Sequence, residues 1–323
     1  MRDLQERLQA IGCKVSNEPD GHYGVPTEDA VRAFQRQRGL RVDGYCGQQT
    51  WNTLVEAGRI LGERLLYYRR RMLRGDDVAT LQRLLGSLGF DAGRVDGIFG
   101  PLAHDALGDF QRNTGLIVDG ICGPETLKSL LRLRTRANAE DVVAEVRERL
   151  RLQDAPRTLR QKRVIVGESG GLAALADSAR RVLSRTGAIV ATLHDPDESV
   201  QAAQANALNA EVYVALRLDP DRSGCATSYF VGYNGVSSEG GRCLATTVQE
   251  TLPVALGIPD LGAHGMRLPV LRETRMPAVL VELGPSSVVV ERAAEVATAI
   301  GDALAAWAFH PCDDSRIDAG QDG

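Results

Sequence analysis

Three β-prone residues, Val164 to Val166, run into a glycine-rich turn within Arg163 to Gly171, RVIVGESGG, and a helix-like segment follows. A strand ending this way aims its turn residues into a crevice, which puts Glu168 and Ser169 where an α/β domain presents chemistry. One chemistry for such a crevice is metal-assisted. A catalytic zinc takes three protein ligands from His, Cys or carboxylate and keeps an open position for a water whose pKa it lowers. Glu168, Asp177, His194 and His264 are ligand-type side chains in this half of the chain, and the other histidines are His22, His104 and His310.

The elements that must position these residues alternate between the two periodicities. Strands are expected at Val164 to Val166, Ile189 to Leu193, Val212 to Leu218, Thr227 to Tyr233, Leu268 to Arg272 and Ala278 to Leu283. Helices are expected at Leu172 to Thr186, Ser199 to Asn209, Gly240 to Leu256 and Val289 to Phe309. Such alternation builds a mostly parallel sheet covered on both faces.

The turn resembles that of the amidase_3 family of N-acetylmuramoyl-L-alanine amidases, in which the pattern reads roughly IDPGHGG. Ala205-Asn206 and the strand Val212-Tyr213-Val214-Ala215-Leu216 are similar to the family's AN segment and its following strand, and LPVLRETRMPAVLVELG, Leu268 to Gly284, resembles its last strand. The resemblance implies a zinc held by a His in the first turn, a Glu opening the next helical region and a His ending the strand after the AN motif. A second Glu, ending the last strand, serves as general base or acid.

At those positions this chain carries Ser169, no counterpart for the second ligand, Arg217 and Glu282. Serine is a poor zinc ligand and an arginine cannot be deprotonated to become one. No cofactor is therefore expected, with zinc reserved for a relocated site among Glu168, Asp177, His194 and His264. Arg217 would enter the crevice of Glu282, so the two are expected to pair directly or through water, the guanidinium supplying the charge that zinc supplied. The alternative is an Arg217 that snorkels to solvent beside a vestigial Glu282.

The first half of the chain repeats itself. AVRAFQRQRGLRVDGYCGQQTWNTL from Ala30 recurs as ALGDFQRNTGLIVDGICGPETLKSL from Ala106, an offset of 76 residues. Asp20-Gly21-His22-Tyr23-Gly24 answers Asp96-Gly97-Ile98-Phe99-Gly100, and Leu4, Leu8 and Ile11 answer Leu81, Leu85 and Leu88 with one residue of shift. Each copy reads as three short helices with one apolar stripe apiece and Asp-Gly turns between them. The pattern is similar to the peptidoglycan-binding domain 1 family, found twice, which implies docking onto peptidoglycan or its fragments. Tyr23, Gln35, Phe99 and Gln111 are the candidate contacts, set against the reading that motif aromatics and glycines are core and turn positions.

The organisation that follows is a multidomain chain. It has two all-α three-helix modules at 1–60 and 72–134, a linker at 135–160 with helix-favouring residues from Ala139 to Leu150, an α/β amidase_3-like domain at 161–310 and a polar tail at 311–323. In 323 residues the formal net charge is −4 with both signs interspersed, which argues against nucleic acid as the main partner. Between the copies, Tyr67 to Arg74, YYRRRMLR, is basic and reads as a solvated face or as a docking patch for an acidic partner. The start, MRDLQERLQAIGCKV, has no apolar h-region and no run is long enough to span a membrane, so a cytoplasmic address is expected. Cys13, Cys46, Cys122, Cys225, Cys243 and Cys312 form no CxxC pair, and most are expected to be free thiols.

Together these features resemble an actinobacterial group of amidase homologues associated with control of peptidoglycan precursor synthesis. That implies cell-wall synthesis proteins as partners, a peptidoglycan or muropeptide-like ligand, and binding in place of hydrolysis. An active zinc amidase and a peptidoglycan-anchoring protein are the alternatives. The tail from Pro311 contains no Thr, which speaks against a phosphothreonine switch there.

Overall fold

A computed structural model describes residues 1–15, 19, 21–134, 143–220, 222–232 and 236–312. Asp20, the linker residues 135–142, Tyr233 at the end of one expected strand and the tail from 313 lie outside the described residues. The chain divides into two compact units, Met1–Arg147 with Gly232–Val236, and Glu148–Val231 with Ser237–Gly323.

The first unit holds both repeats as three-helix modules. Module one comprises α1 (Arg2–Ala10), α2 (Val25–Gln37) and α3 (Gln48–Glu56), and module two α4 (Asp76–Ser87), α5 (Pro101–Thr114) and α6 (Pro124–Arg134). Proline in the first turn of α2 and of α5 suits a position whose N–H has no helical partner. Leu4, Leu8, Ala30, Val31, Phe34, Leu40 and Leu54 close the first core, and Leu81, Leu85, Leu107, Phe110 and Leu130 stand in the second. Within this unit Arg38 reaches Asp76 at 3.0 Å, both almost fully buried, and Asp76 also accepts from the Gly58 N–H at 3.2 Å. Arg64 clasps Asp77 with Nε at 2.7 Å and Nη2 at 3.1 Å, a bidentate geometry that fixes orientation as well as charge.

The second unit begins within α7 (Val143–Asp154) and is built on β1 (Arg163–Glu168), α8 (Ala173–Arg185), β2 (Ile189–His194), α9 (Glu198–Ala207), β3 (Val212–Leu218), β4 (Gly224–Phe230), α10 (Glu239–Leu256), β5 (Asp260–Met266), α11 (Pro269–Arg272), β6 (Ala278–Gly284), α12 (Ser286–Glu291) and α13 (Ala293–Phe309). The sheet order is β2-β1-β3-β6-β4-β5. All neighbours are parallel except β4 with β6. Side chains alternate across a strand. Val164, Val166, Val212, Val214, Val279 and Val281 therefore face one core with α8, α10 and α13, while Ile165, Tyr213, Ala215, Ala278 and Leu280 face the other, beside Ala205 of α9 and Leu271 of α11. Leu152 and Leu159, within the stretch read as linker, are buried in the first of these cores.

Two expectations are corrected. Leu268 to Arg272 is not a strand: Leu268 is extended, and Pro269 starts the short helix α11, where its fixed φ fits. The strand in this region is β5, DLGAHGM, an edge strand whose exposed pattern and two glycines give no alternating apolar signal. The long helix expected from Val289 is also broken, at Arg292, whose guanidinium turns to the Leu256 and Ala255 carbonyls at the end of α10. Cys243 and Cys312 form a disulfide, while Cys13, Cys46, Cys122 and Cys225 are free; burial pushes the Cys122 and Cys225 thiols up to about 12.

Candidate functional site

In the α/β unit, β1, β2, β3 and β6 run parallel, so their carboxyl ends open on one edge of the sheet. The chain leaves β1 for β2 on one side and reaches β3 on the other, the switch in order at which α/β sheets form crevices. The sequence-identified residues gather along this edge in two clusters on opposite faces.

The first cluster lies on the α8 face. Glu168 and His194 are register partners across β1 and β2, and His194 Nδ1 stands 3.0 Å from Glu168 Oε1. Glu168 Oε2 accepts from the N–H groups of Gly170 at 2.8 Å and Leu172 at 3.0 Å, so the carboxylate closes the turn at the entry to α8. Burial works to raise its pKa, but the bonds from Leu172, His194 and Gly170 outweigh it and hold the carboxyl below its ordinary value. Gly171, at φ +81°, makes the turn. Ser169 is half-buried in the same turn. Gly167 is required for a different reason: a Cβ there would come within 2.0 Å of the Tyr213 hydroxyl and 2.3 Å of Gln201 Oε1. Those two atoms are themselves bonded, Tyr213 donating to Gln201 at 2.6 Å, and Gln201 donates to the Glu168 carbonyl at 3.0 Å. Burial, and after it the charge of Glu198, pushes the Tyr213 phenol well above its ordinary range.

The second cluster lies on the α9 face. Arg217 and Glu282 occupy paired positions of β3 and β6, two and four residues past the inward-facing Ala215 and Tyr213 and past Leu280 and Ala278 respectively. Arg217 Nη1 is 3.4 Å from Glu282 Oε1, and Nη2 donates to Oε1 of Glu198, the first residue of α9. The three side chains are 26%, 11% and 13% exposed in the order Arg217, Glu282, Glu198. One guanidinium is thus held between two carboxylates at the end of the sheet. Glu198 belongs to none of the sequence motifs. Its only signal was its place at the start of a helix behind Asp197, whose side chain caps α9 through the Ser199 N–H at 2.9 Å.

The relocated metal set does not assemble. Glu168 and His194 meet, but Asp177 pairs with Arg180 along α8 at 3.3 Å, and His264 on the edge strand β5 stands 2.7 Å from the Leu261 carbonyl through Nε2. Strand alternation keeps Glu168 and His194 on the face opposite Arg217 and Glu282. Among the described residues no group of three or more His, Cys, Asp or Glu is placed to hold a metal ion. The donor set therefore does not fit a zinc with three protein ligands.

In the helical modules three of the four candidate contacts are interior residues, as the core-and-turn alternative has them. Gln35 and Gln111 are each 1% exposed and Phe99 0%. The Gln111 amide donates to Asp119 Oδ1 (2.7 Å), the Ile121 carbonyl (3.1 Å) and Thr126 Oγ1 (3.2 Å), and its oxygen accepts from the Asp119 and Gly120 N–H groups at 3.2 and 2.9 Å. Gln35 does the same with Asp43, Tyr45, Thr50 and Gly44. Gln82 repeats the device at Asp96-Gly97, and Gln5 accepts from the Gly21 N–H at 2.8 Å. The Asp-Gly turns of the repeat are thus latched by buried glutamines whose bonding capacity is used inside the fold. The bonds from Ile121 and Gln111 hold the Asp119 carboxyl below its ordinary value. Tyr23 is half-exposed and its hydroxyl donates to the Gly44 carbonyl. Desolvation, and after it the nearby Cys46, Glu28 and Asp43, raises that phenol to about 12.

Comparison with known proteins places these features. The pattern of a peptidoglycan binding domain matches residues 1–54 and 74–130, and that of the N-acetylmuramoyl-L-alanine amidases matches 161–304. The chain is 38% identical over 334 aligned residues to the N-acetylmuramoyl-L-alanine amidase CwlM of Mycobacterium tuberculosis, covering 94% of this chain and 81% of that protein. The chain belongs to the N-acetylmuramoyl-L-alanine amidase family. This amidase homologue is also 32% identical over 156 residues to the amidase CwlL of Bacillus licheniformis, covering 41% of this chain and 43% of that one. Among solved structures, the amidase Ami1 of Mycobacterium smegmatis is similar with a TM-score of 0.40 and 17% identity, over 47% of this chain and 98% of that chain. Among the described residues of the homologue no helix is long and apolar enough to cross a membrane.

Proposed function

We propose that this amidase homologue acts by binding and not by hydrolysis, as a cytoplasmic regulator of peptidoglycan precursor synthesis that engages cell-wall synthesis proteins, muropeptide-like ligands or both. The observation that carries the reading is Arg217. Its guanidinium stands at the strand end between Glu198 and Glu282, at the position where the amidase resemblance implies a zinc ligand. The charge is answered from both sides, so Glu282 is committed to an ion pair and is not a base waiting for a metal-bound water. The paired peptidoglycan-binding modules supply a reason to expect a muropeptide ligand.

A muramoyl-peptide titrated into the full chain tests this directly. Binding with the muramoyl–alanine amide intact supports the reading, and release of free peptide overturns it. Hydrolysis is the second reading, favoured by the amidase name of the relative that spans 94% of this chain.

A further inference from the structure

The segment entering the second helical module, Arg64 to Arg74, reads RLLYYRRRMLR: five arginines and no acidic residue in a chain whose formal net charge is −4. Both ends are pinned to the module. Leu66, fully buried, forms an antiparallel bridge with Cys122, the two N–H groups donating to the opposite carbonyls at 3.4 and 2.8 Å. Buried Leu73 accepts from the Phe99 N–H at 2.8 Å, and Arg74 bridges Ile98. Between the pins every residue from Tyr67 to Met72 is exposed. Arg64 is neutralised by Asp77, but Arg69, Arg70 and Arg71 have no ion-pair partner among the described residues. Tyr68 leans toward the His104 ring at 6.0 Å between centroids, and Leu65 is 52% exposed at the start of the strap. The module's fold uses Leu66 and Leu73; the six residues between them add no core.

We propose that this strap docks the chain reversibly on an anionic phospholipid bilayer surface. An acidic peptide would satisfy the three arginines but leave Leu65, Tyr67, Tyr68 and Met72 wet. A bilayer interface takes both kinds of side chain: phosphates meet the guanidinium groups, and tyrosines and short apolar chains settle at headgroup depth. A cationic strap on an otherwise acidic chain also orients the molecule toward such a surface.

The test is co-sedimentation of the full chain with vesicles of pure phosphatidylcholine and of phosphatidylcholine with a third phosphatidylglycerol. Binding to the anionic vesicles alone is expected, weakening in high salt. Arg69→Ala/Arg70→Ala/Arg71→Ala should lower the partition coefficient on the order of 100-fold, from about fivefold per basic residue at an anionic surface. Tyr67→Ser/Tyr68→Ser should lower it with the charge intact. Melting curves matching the parent show that these exposed changes leave the fold alone. Binding that is equal for both vesicle types, absent from both, or unchanged in the arginine variant overturns the proposal, as does capture of soluble polyglutamate by a chain that ignores anionic vesicles.

Discussion

Replacing Arg217 by alanine removes the one cation between Glu198 and Glu282 and leaves two carboxylates sharing a site in which each is little more than a tenth exposed. Breaking a buried pair by deleting one partner costs about 3–5 kcal/mol, because the remaining charge has lost both water and counter-ion. Arg217 itself keeps 26% exposure, so solvent screens part of its interaction and we expect a loss of about 3 kcal/mol in the α/β unit. For a domain of this size that is a fall in Tm of roughly 6–12 °C. The assay is calorimetry of the full chain, following the transition that the substitution moves. Arg217→Lys, which keeps the charge and loses the planar fork, should fall between the two. A cycle with Glu198→Gln should show a coupling of about 1–3 kcal/mol, since the second change removes the charge that the first stranded. A Tm for Arg217→Ala within about 1 °C of the parent would refute the reasoning, because a snorkelling arginine on a wet surface moves stability by no more than that.

Two further outcomes rest on hydrogen bonds elsewhere in the chain. Gln111→Ala strands the Asp119 and Gly120 N–H groups and the Ile121 carbonyl at a position 1% exposed, so chemical denaturation should show about 3 kcal/mol lost from the second module; a change under about 1 kcal/mol would mean water takes over the latch. The Glu168 carboxyl is held below its ordinary value, so its contribution is present above the ordinary glutamate pKa and lost as pH falls through the depressed one. Glu168→Gln should therefore be less stable than the parent at neutral pH, with the gap closing in acid. A gap independent of pH would contradict the hydrogen-bond account.

The modules were legible because the repeat prints each determinant twice, and the structure shows the physical reason for the motif's constancy. Phe34 and Phe110 fill the cores, and Gln35 and Gln111 latch the Asp-Gly turns. What the sequence hid was that these glutamines face inward: a polar motif residue looks like a contact until its partners are known. In the α/β unit the central strands announce themselves as apolar runs, whereas β5 lies at an edge and carries two glycines, and Leu268 to Arg272 is apolar enough to imitate a strand. Arg217 and Glu282 could be placed together because the amidase resemblance puts both positions in one crevice, and the parallel register of β3 and β6 pairs them there. Glu198 could not, since its arrival depends on where α9 begins relative to the end of β3, a tertiary fact with no local signature.

The central claim concerns what occupies the end of β3, and metal analysis of the purified full chain, grown with added zinc and assayed beside its action on isolated sacculi, tests it most directly. With Arg217 between two glutamates, zinc should stay well below stoichiometry and no stem peptide should be released. Stoichiometric zinc, with peptide release that a chelator abolishes, would contradict the account.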